Sequence, residues 1–150
     1  MVKGICFCGD ISFEVKNPPA TIYQCHCSEC RKTTGASANA GFLVAKDTFR
    51  WLSGKGNYKT FIKNSGYRVN FCKTCGSPVP NTTSLHKNVM WVPAGLLEGE
   101  PELQVAHHIF TDSKASWDEI AGNAQISEEL PADIDVLFPS MGSTDSENHE

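Results

Sequence analysis

The stretch Cys25-His26-Cys27-Ser28-Glu29-Cys30-Arg31-Lys32 places three thiols within six positions and two cations directly behind them. Two further clusters complete the seven cysteines of the chain, Cys6-Phe7-Cys8-Gly9 and Cys72-Lys73-Thr74-Cys75-Gly76. A Cys-x-x-Cys on a tight turn followed by glycine lets two sulfurs converge on one ion at about 2.3 Å while backbone N–H groups hydrogen-bond the thiolates. In Cys6-Phe7-Cys8 an extended strand would leave the sulfurs two rises apart, and Gly9 permits the bend that joins them. The economical partition is four plus three. Cys6, Cys8, Cys72 and Cys75 make a closed, tetrahedral, structural zinc site, whereas Cys25, Cys27 and Cys30 cap one face of a second zinc ion. Three protein ligands with water or substrate in the fourth position is the general form of a catalytic zinc.

A histidine closing the second site is the alternative. His26 is boxed in by the ligands beside it, while His86, His107 and His108 are each available. His107 and His108 would point to opposite faces of a strand, so at most one easily reaches a metal. Disulfides fit poorly, because the count is odd and Cys-x-Cys is too tight for a relaxed bridge. The spacing also lacks the ferredoxin pattern of an iron–sulfur protein.

The elements that must position these thiols read mostly as strands. Alternating or β-branched runs occur at 11–15, 21–24, 41–44, 49–52, 58–62, 67–71, 89–93 and 105–110, separated by turn residues such as Asn17-Pro18-Pro19 and Ser53-Gly54-Lys55-Gly56-Asn57. Two segments read as helical: the turn from Cys27 through Lys32, and Ser113–Ala121, where Ala115, Trp117, Ile120 and Ala121 could share a face. No linker interrupts the chain, so residues 1–138 are expected to form one zinc-binding domain and the polar segment 139–150 a flexible tail.

A formal charge of −4 becomes more negative if the cysteines are metal-bound thiolates, and no dense Lys/Arg block offsets it. That disfavours nucleic-acid binding, which starts from a basic face. No apolar run approaches the roughly 18–20 residues of a membrane span, and the first residues lack a signal-peptide core, so a cytoplasmic, reducing setting is expected. Glu29, between two ligands, is a proton shuttle or a solvent-facing turn residue. No Ser-His-Asp arrangement, phosphate loop or dinucleotide motif competes for the chemistry.

With its three cysteine clusters in this order, the chain resembles the glutathione-dependent formaldehyde-activating enzyme family, which includes centromere protein V. The matching pieces are GICFCGDISFEV, YQCHCSECRKTTGA, YRVNFCKTCGSPV, VPAGLLEG and HHIFTDSKASWDEI, spanning roughly residues 4–120. The resemblance implies an Mss4-like fold, small β-sheets around a zinc knuckle with few short helices. It implies two zinc ions, a structural one on Cys6, Cys8, Cys72 and Cys75 and a catalytic one on Cys25, Cys27 and Cys30. The implied activity is that of a carbon–sulfur lyase forming S-hydroxymethylglutathione from glutathione and formaldehyde. The centromere relative keeps a non-catalytic, zinc-scaffolded binding module as the alternative. Zinc would serve by ionising a bound thiol or by polarising the aldehyde. Glutathione carries two carboxylates, so Arg31, which can clamp one bidentately, Lys32 and the hydroxyl of Thr34 are the candidate substrate-binding residues.

Overall fold

The structure, a computed structural model, describes residues 1–84 and 86–138. The segment 139–150, expected as a tail, lies outside the described residues. In chain order the elements are β1 (Val2–Ile5), β2 (Ser12–Val15), β3 (Thr21–Cys25), α1 (Ser28–Thr34), β4 (Asn39–Ala45), β5 (Phe49–Ser53), β6 (Tyr58–Ile62), β7 (Arg68–Cys72), β8 (Pro78–Val79), β9 (Asn81–Thr83), β10 (His86–Pro93), β11 (Gln104–Ile109) and β12 (Gln125–Ile126). The fold is mostly β, with small sheets and one short α-helix among the described residues, consistent with an Mss4-like fold. None of the described helices is long and apolar enough to cross a membrane.

Three sheets form. The largest has the order β12-β11-β3-β4-β10-β9; β1-β2-β5 and β6-β7-β8 flank it. Most pairings are antiparallel, but β11 runs parallel to β3, so His108 lies beside Gln24 and Ile109 beside Cys25. That pairing brings a late strand against the one that ends in the Cys25 cluster.

Strand alternation divides the apolar residues between two cores. On β4, Phe42 and Val44 join Phe13, Val15, Met90 and Val92, while Leu43 joins Tyr23, Cys25, Cys30 and Val89 on the other face. β4 is therefore buried on both sides. Burial of one such side chain contributes about 1.5–3 kcal/mol. A third cluster is built around cysteine itself: Cys6, Ile11, Cys72 and Val79 pack together under Trp51 and Tyr58, whose rings stack at 5.4 Å.

The strand readings match observed strands to within a few residues at each end. β1, β8, β9 and β12 had no sequence signal: β1 contains a glycine, and β8, β9 and β12 are only two or three residues long. The helix expected over Ser113–Ala121 does not form. Only a 3₁₀ turn at Thr111–Ser113 appears there, and Trp117 is 71% exposed rather than on a buried face. Local and long-range bonds compete with helical hydrogen bonding: Lys114 donates its Nζ to the Asp118 carbonyl at 2.9 Å, and the Asp118 carboxylate is held by buried His26 at 3.0 Å.

Candidate metal centres

The Cys6/Cys8 and Cys72/Cys75 turns are built alike. Gly9 and Gly76 take positive φ (88° and 78°), which allows the Gly9 N–H to reach the Cys6 carbonyl at 3.0 Å and the Gly76 N–H to reach the Cys72 carbonyl at 2.9 Å. Each turn folds its two sulfurs to one side. The ligand atoms of Cys6, Cys8, Cys72 and Cys75 all lie within 4.8 Å of one another. Cys6 Sγ stands 3.6 Å from Cys8 Sγ and 3.8 Å from Cys72 Sγ, and Cys8 Sγ stands 3.7 Å from Cys72 Sγ. Four sulfurs placed about 2.3 Å from a central ion in a tetrahedron would be about 3.8 Å apart, so the donor set fits zinc. These separations are far too long for a disulfide of about 2.05 Å.

Hydrogen-bond donors surround the same sulfurs. The Ile11 N–H donates to Cys6 Sγ at 3.3 Å, and Ser77 Oγ stands 3.2 Å from Cys75 Sγ. The Ser77 hydroxyl holds the Cys75 thiol down to about 6, which favours the thiolate a metal requires. Asp10 supports the turn from outside, accepting from Thr74 Oγ1 at 2.8 Å and Asn57 Nδ2 at 3.3 Å.

The second cluster arises where a strand becomes a helix. Tyr23 and Cys25 share one face of β3, as alternation requires, and both are buried. Cys27 is the N-cap of α1: its sulfur accepts the Cys30 N–H at 3.3 Å, bringing Cys27 and Cys30 together across the first turn. Cys25, Cys27 and Cys30 lie with their sulfurs within 4.8 Å of one another. Contact with Cys25 and Cys30 pulls the Cys27 thiol down, and contact with Cys27 and Cys30 pushes the Cys25 thiol up. Three such crowded sulfurs cannot all ionise without a cation among them, and a zinc ion fits that donor set. Among the described residues no histidine, aspartate or glutamate joins these three sulfurs in a ligand group.

The described histidines are engaged elsewhere. His26, between two of the cysteines, is 2% exposed, with Nδ1 3.0 Å from Asp118 Oδ2 and Nε2 2.9 Å from His108 Nδ1. His107 Nε2 is 2.7 Å from Ser127 Oγ, and exposed His86 accepts the Asn88 N–H at 3.2 Å. Burial lowers the affinity of His107 and His108 for a proton.

Cys25, Cys27 and Cys30 open onto a cavity of about 310 Å³, within the size range of small-molecule sites of about 300–1,000 Å³. Tyr23, Tyr67, Trp91 and Phe110 line it, together with Arg68, Asn39 and Asn81. Phe110 takes φ 53° directly after β11, a left-handed conformation that is strained for a bulky residue and typical of functional sites. The Tyr67 hydroxyl is 3.4 Å from Cys30 Sγ. Burial, then the charge of Cys30, raises its pKa, so the phenol keeps its proton and can donate it to Cys30 once that sulfur is a thiolate.

The polar residues expected near the substrate lie apart from this lining. Arg31 donates from its guanidinium to the Ser113 carbonyl at 3.2 Å. Thr34 Oγ1 bonds back to the Cys30 carbonyl at 2.9 Å. Lys32 lines a neighbouring cavity of about 420 Å³ floored by Phe61, Val69, Phe71 and Pro78. Glu29 borders both cavities and pairs with Lys63 at 3.3 Å and Ser65 Oγ at 2.8 Å. Arg68, Asn39 and Asn81 were not among the sequence candidates. Each belongs to a strand whose position beside the cysteines follows from sheet topology, and no local motif marks it.

The sequence model of the family described as glutathione-dependent formaldehyde-activating enzyme matches residues 1–113. The chain is also similar to the crystal structure of a Rhodobacter sphaeroides protein, a structural-genomics target, with 26% identity and a TM-score of 0.56 over 65% of this chain and 89% of that one. No curated protein matches it.

Proposed function

The chain belongs to the glutathione-dependent formaldehyde-activating enzyme family, and from that premise we propose that it joins glutathione to formaldehyde as S-hydroxymethylglutathione at the Cys25, Cys27 and Cys30 cluster. The reaction is of the carbon–sulfur lyase type. The thiol sulfur bonds to the aldehyde carbon, the carbonyl π pair moves onto oxygen, and the thiol proton finishes on that oxygen, so no further reactant is required.

One observation carries this reading: three sulfurs share an open cavity, and no other potential ligand among the described residues completes their set. Zinc held by Cys25, Cys27 and Cys30 would lower the pKa of a thiol or polarise an aldehyde brought to its fourth position. Tyr67, 3.4 Å from Cys30 Sγ, would donate to that sulfur as a metal-bound thiolate and so spread the charge of the cluster. Tyr23, Trp91 and Phe110 wall the cavity with aromatic surface, which limits water at the sulfurs. The four-cysteine cluster, Cys6, Cys8, Cys72 and Cys75, would hold a structural zinc ion that ties the N-terminal turn to β7. Reducing conditions keep all seven thiols available to metal, which supports a cytoplasmic setting.

The test is the rate of S-hydroxymethylglutathione formation with two zinc ions bound, compared with the spontaneous reaction. Acceleration is expected. A rate equal to background would leave a binding module.

A further inference from the structure

Three polar side chains on the cysteine cavity have no hydrogen-bond or ion-pair partner among the described residues. Asn81, at the start of β9, is 5% exposed, and its carboxamide borders the cavity unbonded. Asn39 pairs with Cys25 across β4 and β3, and its carboxamide is likewise unbonded. Arg68, at the start of β7, is the one cation on the lining among the described residues and makes no ion pair. The acid on the same lining, Glu29, is already paired with Lys63 and Ser65. The amide atoms of Asn81 and Asn39 are not among the fully buried ones and keep access to the cavity they line, so a ligand bound there can take up hydrogen bonds that these amides do not make within the protein.

Resting on the reading of the three-cysteine cluster as a thiol site, we propose that Arg68 and Asn81 are specificity-determining residues that select a thiol carried on a peptide. Arg68 takes a carboxylate of that peptide. Asn81, with Asn39 beside Cys25, pairs with amide groups flanking the sulfur, since a carboxamide both donates and accepts. A dianionic phosphate suits the lining less well, because it offers one guanidinium and also carries Glu29. The chemistry matches a small thiol peptide with a free carboxylate. Small hydroxyl thiols would reach the sulfurs and leave these three groups unused.

The test is calorimetric titration of the zinc-loaded protein with glutathione and with 2-mercaptoethanol, for wild type, R68Q, R68K and N81A. Arg68 is exposed at a strand start, so R68Q is expected to fold and carries the decision. The selectivity for glutathione over 2-mercaptoethanol should fall about tenfold or more in R68Q, with partial retention in R68K because lysine keeps the charge without the planar fork. N81A should lower the same ratio. An unchanged ratio in R68Q overturns the proposal. If wild type binds both thiols equally, this inference alone fails. If wild type binds neither thiol, the thiol-site reading fails and takes the inference with it.

Discussion

Cys6 and Cys72, separated by 66 positions in the chain, bring their sulfurs to 3.8 Å. Both residues are almost fully buried, at 2% and 1% exposure, within a small core that also contains Ile11 and Val79. The contact joins the N-terminal turn to the end of β7 and so closes a long loop, which chain entropy opposes unless something holds the ends.

Cys72→Ser removes one of four candidate ligands from that closure. Structural zinc contributes about 10–16 kcal/mol in small zinc domains, against a typical total stability of about 5–15 kcal/mol. The variant is expected to be unfolded or to lose its cooperative transition, as is wild type treated with a strong chelator. Circular dichroism with zinc quantification checks both.

Cys27→Ser should behave differently. Serine is a good N-cap, so the hydroxyl can replace the sulfur that accepts the Cys30 N–H, and α1 survives. Unfolding free energy is expected to change by no more than about 1 kcal/mol beyond the loss of the second metal. The bound zinc should fall by one ion, and formaldehyde-dependent adduct formation should return to background. Equal unfolding of the Cys27 and Cys72 variants would remove the division between a structural and a catalytic cluster.

Gly41 lies on β4 beside Tyr23 and under Trp91. A Cβ there would come within 2.5 Å of Trp91 Nε1 and 2.7 Å of the Val92 carbonyl. Gly41→Ala must displace the indole, which lines the cysteine cavity, or part β4 from β10. A loss of about 1–3 kcal/mol is expected from overpacking. Urea denaturation measures it, and a fluorescence shift of the tryptophans reports the displacement.

Burial holds His107 below the ordinary histidine value of 6.5. As pH falls through the value of the unfolded chain, that chain takes up the proton first, so the stability present above about 6.5 is lost below it. Wild type should therefore lose more stability between pH 7.5 and 5.5 than His107→Gln, whose amide retains a partner for Ser127. Denaturant midpoints at the two pH values supply the comparison. Equal losses would show that His107 does not contribute to the acid sensitivity.

The grouping of the sulfurs was legible because cysteine spacing constrains geometry so tightly: a Cys-x-Cys and a Cys-x-x-Cys, each followed by glycine, have few ways to fold. The strands were legible where alternation ran for four residues or more. Arg68, Asn39 and Asn81 were not legible as a group, because they meet only when β7, β4 and β9 are placed around Cys25 by pairings distant in sequence. Arg31 drew attention by adjacency to Cys30, yet the helix carries its guanidinium to Ser113. Ser113–Ala121 misled in the same way: its apolar spacing suits a helix, but the Asp118 carboxylate is committed to His26 across the fold.

Cobalt(II) loaded in place of zinc reports thiolate ligation through sulfur-to-metal charge-transfer absorption, and it tests most directly whether Cys25, Cys27 and Cys30 hold a metal that accepts a substrate thiol. Adding glutathione to the cobalt protein should increase that absorption by one thiolate in wild type and leave it unchanged in Cys27→Ser. An unchanged spectrum in wild type at saturating glutathione would contradict the proposed role of the three-cysteine cluster.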